Sequence, residues 1–371
     1  MDQTEALIIE TIDRHREEIL EFARDIYSHA ELGYKEFQTS GKFVKKMEQL
    51  GLRTEKGFAI TGVKAYLNED KKENASLALL GELDALRIPE HAFANPETNA
   101  AHCCGHHAQM AGVFGAALAL TVPEIAEKLD GQVVFFATPA EEYGEIEFKN
   151  QLREQGKIRY GGGKCELLRI GAFDDIDLCL THHIRPGNEI LVGSGTGNGF
   201  VSKVIRVLGK ASHAAGAPEK GVNALSAASL GLQALGLNRE TFRDEDCVRV
   251  HPIITKGGNL VNVIPDEVVV ETLVRGKTIE AFTDAAKKTD RSFKAGAIAM
   301  GAKVEISTLP GYLPTLAEEA LPELKHAAEI SASGIPVIEA SGHAGGSTDV
   351  GDVQHLMPVY TFNTGGVKGG L

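Results

Sequence analysis

Two short runs limit the architecture before anything else: Leu77-Ala78-Leu79-Leu80-Gly81 and Gln132-Val133-Val134-Phe135-Phe136-Ala137. Both are nearly all apolar. A strand of that kind needs cover on both faces, as in the centre of a sheet flanked by helices. Helical patterns are available to supply it. Ile8, Ile12, Ile19, Phe22, Ala23 and Ile26 recur at helical spacing and predict one amphipathic helix over 5–28, with further helices at 37–50, 109–121 and 164–171. Gly51 is a suitable stop for the second of these. Val63-Lys64-Ala65-Tyr66-Leu67 adds a strand. The expected class is α/β, on a largely parallel or mixed sheet.

The texture changes near residue 193. Gly193-Ser194-Gly195-Thr196-Gly197-Asn198-Gly199 reads as a joint, after which Val201 to Leu208 alternates as a strand. A helix at 221–236, strands near 248–255 and 267–275, a helix near 278–299 and a strand at 303–307 follow. This β-α-β-β-α-β order predicts a small two-layer domain. Pro310-Gly311-Tyr312-Leu313-Pro314 marks the return, and a helix at 316–331 resumes the first texture. Residues 196–308 are therefore expected as a domain inserted into a larger one made of 1–195 and 309–371.

At 371 residues the chain is long enough for two such cores. Its net charge of -13 argues against nucleic acid or an anionic membrane as partner, though not against an anionic small substrate. No apolar run reaches membrane-spanning length, and the start, Met1-Asp2-Gln3-Thr4-Glu5, has no apolar signal core. Five cysteines, an odd number without disulfide spacing, fit reduced thiols in a cytoplasm.

The densest chemistry lies in Ala101-His102-Cys103-Cys104-Gly105-His106-His107, two thiols and three imidazoles in seven residues. Thiolate and imidazole suit zinc-like ions. Cys104 and His106, one residue apart, can reach a common point; a buried thiol beside surface histidines is an equal reading of this cluster alone. The strand at 132–137 empties into Thr138-Pro139-Ala140-Glu141-Glu142. Such strand ends are where α/β sheets place active sites, and a Glu beside an acidified water can act as general base. A Glu pair is also at home in a solvated helix start. Asp177-Leu178-Cys179-Leu180-Thr181-His182-His183 is a third strand ending in ligand-type residues. The three ends together predict a hydrolytic metal site. The glycine run at 193–199 precedes a strand pattern, not a phosphate-cradling helix, which sets it apart from a dinucleotide fingerprint.

Taken together, the chain resembles the M20 metallopeptidases, in their amidohydrolase (aminoacylase and carboxypeptidase-like) branch. His29-Ala30-Glu31-Leu32-Gly33, Gly81-Glu82-Leu83-Asp84-Ala85-Leu86, His102-Cys103-Cys104-Gly105-His106 and Pro139-Ala140-Glu141-Glu142 carry the resemblance. It implies a mixed-sheet catalytic domain of zinc-exopeptidase type with an inserted dimerisation (lid) domain. It implies two divalent ions (zinc, manganese or cobalt), bridged by Cys104 and held further by His106, Glu142 and His183, with His183 rather than His182 at the matching position. Glu141 would be the general base, and Asp84 would orient a ligand. His213, in Gly209-Lys210-Ala211-Ser212-His213-Ala214-Ala215, would stabilise the oxyanion in the partner copy of a homodimer. Asn262 and Arg275 would contact substrate, Arg275 through a carboxylate. The implied substrates are N-acyl amino acids, small peptides or aminobenzoyl-glutamate-like conjugates.

Some positions depart from the family pattern. His107 stands where an acidic residue is usual, and Thr138 where an amide is frequent. The last metal ligand, a histidine beyond Gly346-Ser347-Thr348-Asp349, has no match up to Leu371; His343 and His355 are unassigned. Either the chain lacks its natural end or one metal site is incomplete. The second case leaves an impaired or non-catalytic metal- or ligand-binding protein on the same scaffold as the alternative.

Overall fold

The two apolar runs lie side by side. Ser76–Glu82 and Gln132–Thr138 pair in parallel, with Leu77 opposite Val133 and Glu82 opposite Thr138. Every residue of Gln132–Thr138 is buried, which explains why neither run shows a polar face. In this computed structural model, which describes residues 1–332 and 334–367, they occupy the middle of an eight-stranded sheet. From one edge to the other its strands are Arg53–Phe58, Gly62–Leu67, Gln132–Thr138, Ser76–Glu82, Leu178–Pro186, Val359–Val367, Ile190–Val192 and Val337–Glu339. The four from Gln132–Thr138 to Val359–Val367 run parallel. Three of their C-terminal ends thus share one edge, and these are the three ends bearing Glu82 and Asp84, Glu141 and Glu142, and His183.

The sheet belongs to the first of two compact units, made of Met1–Gly195, Leu316–Gly342 and the chain from Asp352 onward. Phe22, Ile26, Phe43, Met47, Met110 and Phe114 bury their side chains with Val133 and Phe135 in one cluster. Burying a side chain of this size contributes roughly 1.5–3 kcal/mol. The helix His106–Leu120 is apolar nearly all round and is buried along most of its length. It starts three residues earlier than its sequence pattern predicts, so His106 sits in its first turn. Gly105, at φ 94°, turns the chain into it; a Cβ there would lie 2.2 Å from Ile184.

Two helix predictions are corrected. The stretch 5–28 forms two helices, Gln3–Arg14 and Arg16–Ser28, broken at His15. The break is a kink, since the His15 N–H still bonds Thr11 O and its carbonyl still accepts Ile19 N–H. Asp2 caps the first helix in a reciprocal box with Glu5. The helix expected over 316–331 is confined to Pro322–Ser331. Pro322 forces Leu321 into an extended conformation and opens the helix itself. Before it, Glu318 bridges Ser194 as extended chain.

The second unit comprises Thr196–Thr315 and His343–Gly351. Its antiparallel sheet runs Arg249–Val250, Glu267–Gly276, Gly199–Leu208, Lys303–Pro310, with Ile253–Lys256 also paired to Glu267–Gly276. The single strand expected over 248–255 is therefore two short ones. Glu267–Gly276 alternates half-buried and buried residues throughout. Val268, Val270 and Val274 meet the helices Ala224–Asn238 and Ile279–Ala299 in a core that includes Ala227, Ala228 and Phe293. Gly231 lets the two helices approach, because a Cβ there would lie 2.7 Å from the Phe293 ring. Phe293→Ala should lower stability by about 3–5 kcal/mol through loss of buried surface and an unfilled cavity, read as a shifted urea midpoint with an unchanged slope.

Candidate metal centre

Cys104 lies in the turn before the helix His106–Leu120, and His183 lies within the strand Leu178–Pro186. The Cys104 Sγ is 3.3 Å from His183 Nε2, and a Cys104 contact also supports the Glu142 carboxylate. The donor atoms of Cys104, His106 and His183 lie within 4.8 Å of one another, as do those of His106, Glu141 and Glu142. Cys104, His106, Glu141, Glu142 and His183, five residues singled out in the sequence, thus meet in one pocket of the first unit.

The two imidazoles share a fixed orientation. His106 Nδ1 is 2.8 Å from the Asp84 carbonyl oxygen, and His183 Nδ1 is 2.7 Å from that of Ile184. A carbonyl accepts only, so both Nδ1 atoms carry the proton and donate it. His183 Nε2 then presents its lone pair, the tautomer a metal-binding histidine requires; His106 does the same once its second proton is displaced. His106 Nε2 is buried and has no hydrogen-bond partner. His182 points elsewhere, with Nε2 3.0 Å from Thr364 Oγ1 and its ring stacked on Phe362. Burial, with the neighbouring His183, pushes its pKa down to about 4.

Burial and neighbouring charges set the protonation of the pocket. Burial pushes the Cys104 thiol up to about 12, a proton that a bound metal would displace. Burial opposes charge on His106, yet Glu82 and Asp84 hold its pKa well above the usual range. The Glu142 carboxyl is raised by burial first, with Asp84 adding to the shift. The residues present therefore fit a soft-to-borderline divalent cation: one sulfur, two oriented imidazoles and two carboxylates. His102 and His107 stand apart from these groups. Their rings face each other at 5.5 Å, and burial lowers their pKa values to about 3 and 4. His343, in the second unit, has its nitrogens 3.0 Å from Thr196 Oγ1 and 3.2 Å from Asn198 Oδ1.

The loop carrying Glu141 and Glu142 is held by three consecutive backbone N–H groups. Ala140 donates to Glu36 Oε1 at 2.8 Å, Glu141 to Asp84 Oδ1 at 3.1 Å and Glu142 to Asp84 Oδ2 at 2.9 Å. Asp84 is completely buried. Burial works against its charge, but its bonds from His106 and Glu142 keep its pKa below the ordinary value. Ala140 has φ 49°, a left-handed conformation that costs a non-glycine residue energy and persists only when fixed from outside. Glu36 and Gly163 do the fixing: Gly163 N–H bonds Ala140 O at 3.0 Å, and a Cβ on Gly163 would strike Pro139 O at 1.6 Å.

Sequence reasoning singled out neither Glu36 nor two other groups at the pocket, Glu82 and Lys164. All three are buried. Lys164 Nζ is 2.5 Å from Glu82 Oε1. Burial opposes charge on Glu82, but Lys164, His106 and His183 hold its pKa down at about 2. A lysine set in the small-residue run Gly161-Gly162-Gly163-Lys164 was the available signal.

The remaining candidates lie in the second unit. His213 is exposed, and its Nδ1 accepts N–H bonds from Ala215 at 3.2 Å and Gly216 at 2.9 Å. Its proton is thereby placed on Nε2. The Asn262 backbone carbonyl accepts Ala214 N–H at 2.9 Å, which sets the two loops side by side. Arg275 lies on Glu267–Gly276, its guanidinium 6.0 Å from the Phe200 ring centroid and its buried Nε without a hydrogen-bond partner.

Glu36 gives a pH test. Burial, then the Asp84 charge, raises its pKa from 4.5 to about 7. The native chain keeps a proton there that the unfolded chain has released, so stability falls as pH rises through that interval. Glu36→Gln keeps an acceptor for Ala140 N–H and a donor towards Thr61 Oγ1. Its melting temperature should therefore decline less between pH 5 and 8 than the wild type's. Glu36→Ala should lose about 1–3 kcal/mol at both ends, because the Ala140 N–H is left unpaired.

Comparison with known proteins follows the same lines. The model of the family described as peptidase family M20/M25/M40 matches residues 78–370. Xaa-Arg dipeptidase of Mus musculus is 28% identical over 359 residues, covering 94% of this chain and 77% of that protein. N-acetyl-L-cysteine deacetylase of Bacillus subtilis (strain 168) is 25% identical over 357 residues, covering 93% and 80%. Three further curated relatives, an Xaa-Arg dipeptidase of Homo sapiens and two IAA-amino acid hydrolases of Arabidopsis thaliana, are matched over 55% to 58% of their own length. Among solved structures, a dinuclear metal binding peptidase from the M20 family of Bacillus subtilis superposes with a TM-score of 0.63 at 23% identity, covering 96% of this chain and 91% of that one. It shares the fold.

Proposed function

The chain belongs to peptidase family M20/M25/M40, and on that premise we propose that it is a metal-dependent amidohydrolase acting on N-acyl amino acids, small peptides or aminobenzoyl-glutamate-like conjugates. The observation that carries this reading is the convergence of Cys104 Sγ, His183 Nε2 and the His106 ring beside the Glu141–Glu142 pair. Cys104, His106, Glu142 and His183 would hold the metal, two divalent ions being the occupancy proposed. When bound, such ions polarise the scissile carbonyl and acidify the attacking water.

Glu141 accepts the proton of that water and returns it to the leaving amine. Its backbone N–H bonds Asp84 Oδ1, which holds the loop that carries this carboxylate. His213, with its proton on Nε2, is a donor suited to the developing oxyanion. Arg275 offers a planar fork to a substrate carboxylate, and its unpartnered Nε supports that role. Asn262 completes the contacts to substrate. A dipeptidase and an N-acetyl-L-cysteine deacetylase among the relatives support amino-acid amides as the substrate class.

A homodimer through the second unit is part of the proposal. Ile253, Ile254, Leu260 and Val261 are 62%, 41%, 65% and 103% exposed along one edge strand and its following loop, an apolar surface of the kind that marks association. Among the described residues no helix is long and apolar enough to cross a membrane.

Glu141→Ala should lower kcat by at least about 100-fold while leaving metal content unchanged. Retained turnover removes Glu141 as the base. His213→Ala should also be inactive with metal retained; mixing the two inactive variants should restore part of the activity if His213 of one copy serves Glu141 of the other, and an inactive mixture removes the cross-copy role. Chelation should abolish hydrolysis and lower the melting temperature, and added zinc, manganese or cobalt should reverse both.

A further inference from the structure

Strand register brings two arginines together in the second unit. Arg249, in the short strand Arg249–Val250, stands directly opposite Arg275 in Glu267–Gly276. Residues so paired share a face of the sheet, with Cβ atoms about 4.5–5.5 Å apart. The next pair, Val250 and Val274, is buried in the core against the helices. Alternation along the strands therefore puts both arginines on the opposite face. Phe200 flanks Arg275 on its other side in the same row, and its ring lies 6.0 Å from the guanidinium. Like charges directly opposite each other destabilise a strand pair unless something neutralises them. Other cations of this sheet are neutralised, Lys203 by Asp290 at 2.7 Å and Arg206 by Glu267 at 2.5 Å. Among the described residues, neither Arg249 nor Arg275 forms an ion pair. Arg249 uses one donor on a main-chain carbonyl, Nη1 to Val248 O at 2.9 Å. The buried Nε of Arg275 has no hydrogen-bond partner. Two planar forks thus stand side by side, uncompensated by the protein's own carboxylates.

We propose that Arg249 and Arg275 together receive a dicarboxylate, so that the amino-acid half of the substrate is acidic, of the aspartate or glutamate type. Arg275 takes one carboxylate and Arg249 the other. The proposal rests on the amidohydrolase reading above, in which Arg275 contacts a substrate carboxylate, and adds Arg249 as the residue that selects the side chain. A single carboxylate neutralises only one of the two guanidiniums. An acidic amino acid carries two carboxylates on one short carbon chain, matching two forks held on adjacent strands. With a neutral amide in place of the side-chain carboxylate, the charge on Arg249 stays unpaired beside that of Arg275.

Paired conjugates of L-glutamate and L-glutamine, each made with acetyl, benzoyl and glycyl acyl groups, test this on the metal-loaded full chain. The members of a pair differ in one charge and hardly in shape. In every pair that is turned over, the wild type should favour the glutamate conjugate by about tenfold or more in kcat/KM. Arg249→Gln, its fold checked by circular dichroism, should bring that ratio close to one. Arg249→Lys keeps the charge without the fork and should retain part of the preference. Arg275→Gln should weaken both members of a pair through KM, because both carry the α-carboxylate. A wild type that does not favour glutamate, or a preference that survives Arg249→Gln, overturns the dicarboxylate assignment and leaves the amidohydrolase reading standing. No metal-dependent hydrolysis of any conjugate overturns both.

Discussion

Two buried carboxylates, Glu36 and Asp84, accept three consecutive backbone N–H groups, those of Ala140, Glu141 and Glu142. Most of the site hangs on this contact. It stabilises a left-handed residue that the chain would otherwise avoid, and it holds the backbone from which both glutamate side chains project. Asp84 also reaches the His106 ring, its carbonyl at Nδ1 and its Oδ1 3.4 Å away. One aspartate therefore orients a thiol-side ligand and the carboxylate pair together. Hydrogen bonds to charged groups in a dry interior are among the stronger polar contacts, and removing one partner leaves the other desolvated and unpaired.

The pocket concentrates charge where burial opposes it. Glu82, Asp84, His106 and Lys164 are all essentially inaccessible to solvent. Such groups are tolerated only when paired, and the pairs here are short and mutually oriented. The arrangement gains little stability for its cost, but it presets geometry. Main-chain carbonyls fix the orientation of both imidazoles, and the thiol lies 3.3 Å from His183 Nε2. A cation entering this set meets donors that need little reorganisation, which is the general condition for tight and productive metal binding.

Much of this was legible from residue order. The apolar runs at 77–81 and 132–137 demanded a covered sheet, and the ends of three strands carried ligand-type residues. Where sequence patterns failed, a local cause is visible. Apolar spacing continues smoothly across His15, so periodicity could not register a one-residue kink. Between Leu316 and Leu321 helical spacing persists, but Pro322 and the bridge to Ser194 hold the chain extended. Glu36, Glu82 and Lys164 escaped notice because an isolated charged residue reads as surface, and only burial reveals its partner. His182 and His183 are alike in composition and adjacent; the strand's alternation, which sends neighbouring side chains to opposite faces, separates their roles.

The order of residues alone determined the α/β class, the presence of an inserted antiparallel unit and the kinds of donor available for a metal, because hydrophobic periodicity and side-chain chemistry are local properties. Tertiary structure decided which imidazole nitrogen faces the thiol, which carboxylates are buried, and how Glu36 and Asp84 grip the loop of Glu141. These depend on contacts between segments as far apart as the 104 residues from Glu36 to Ala140, and on a loss of solvent that no local pattern records.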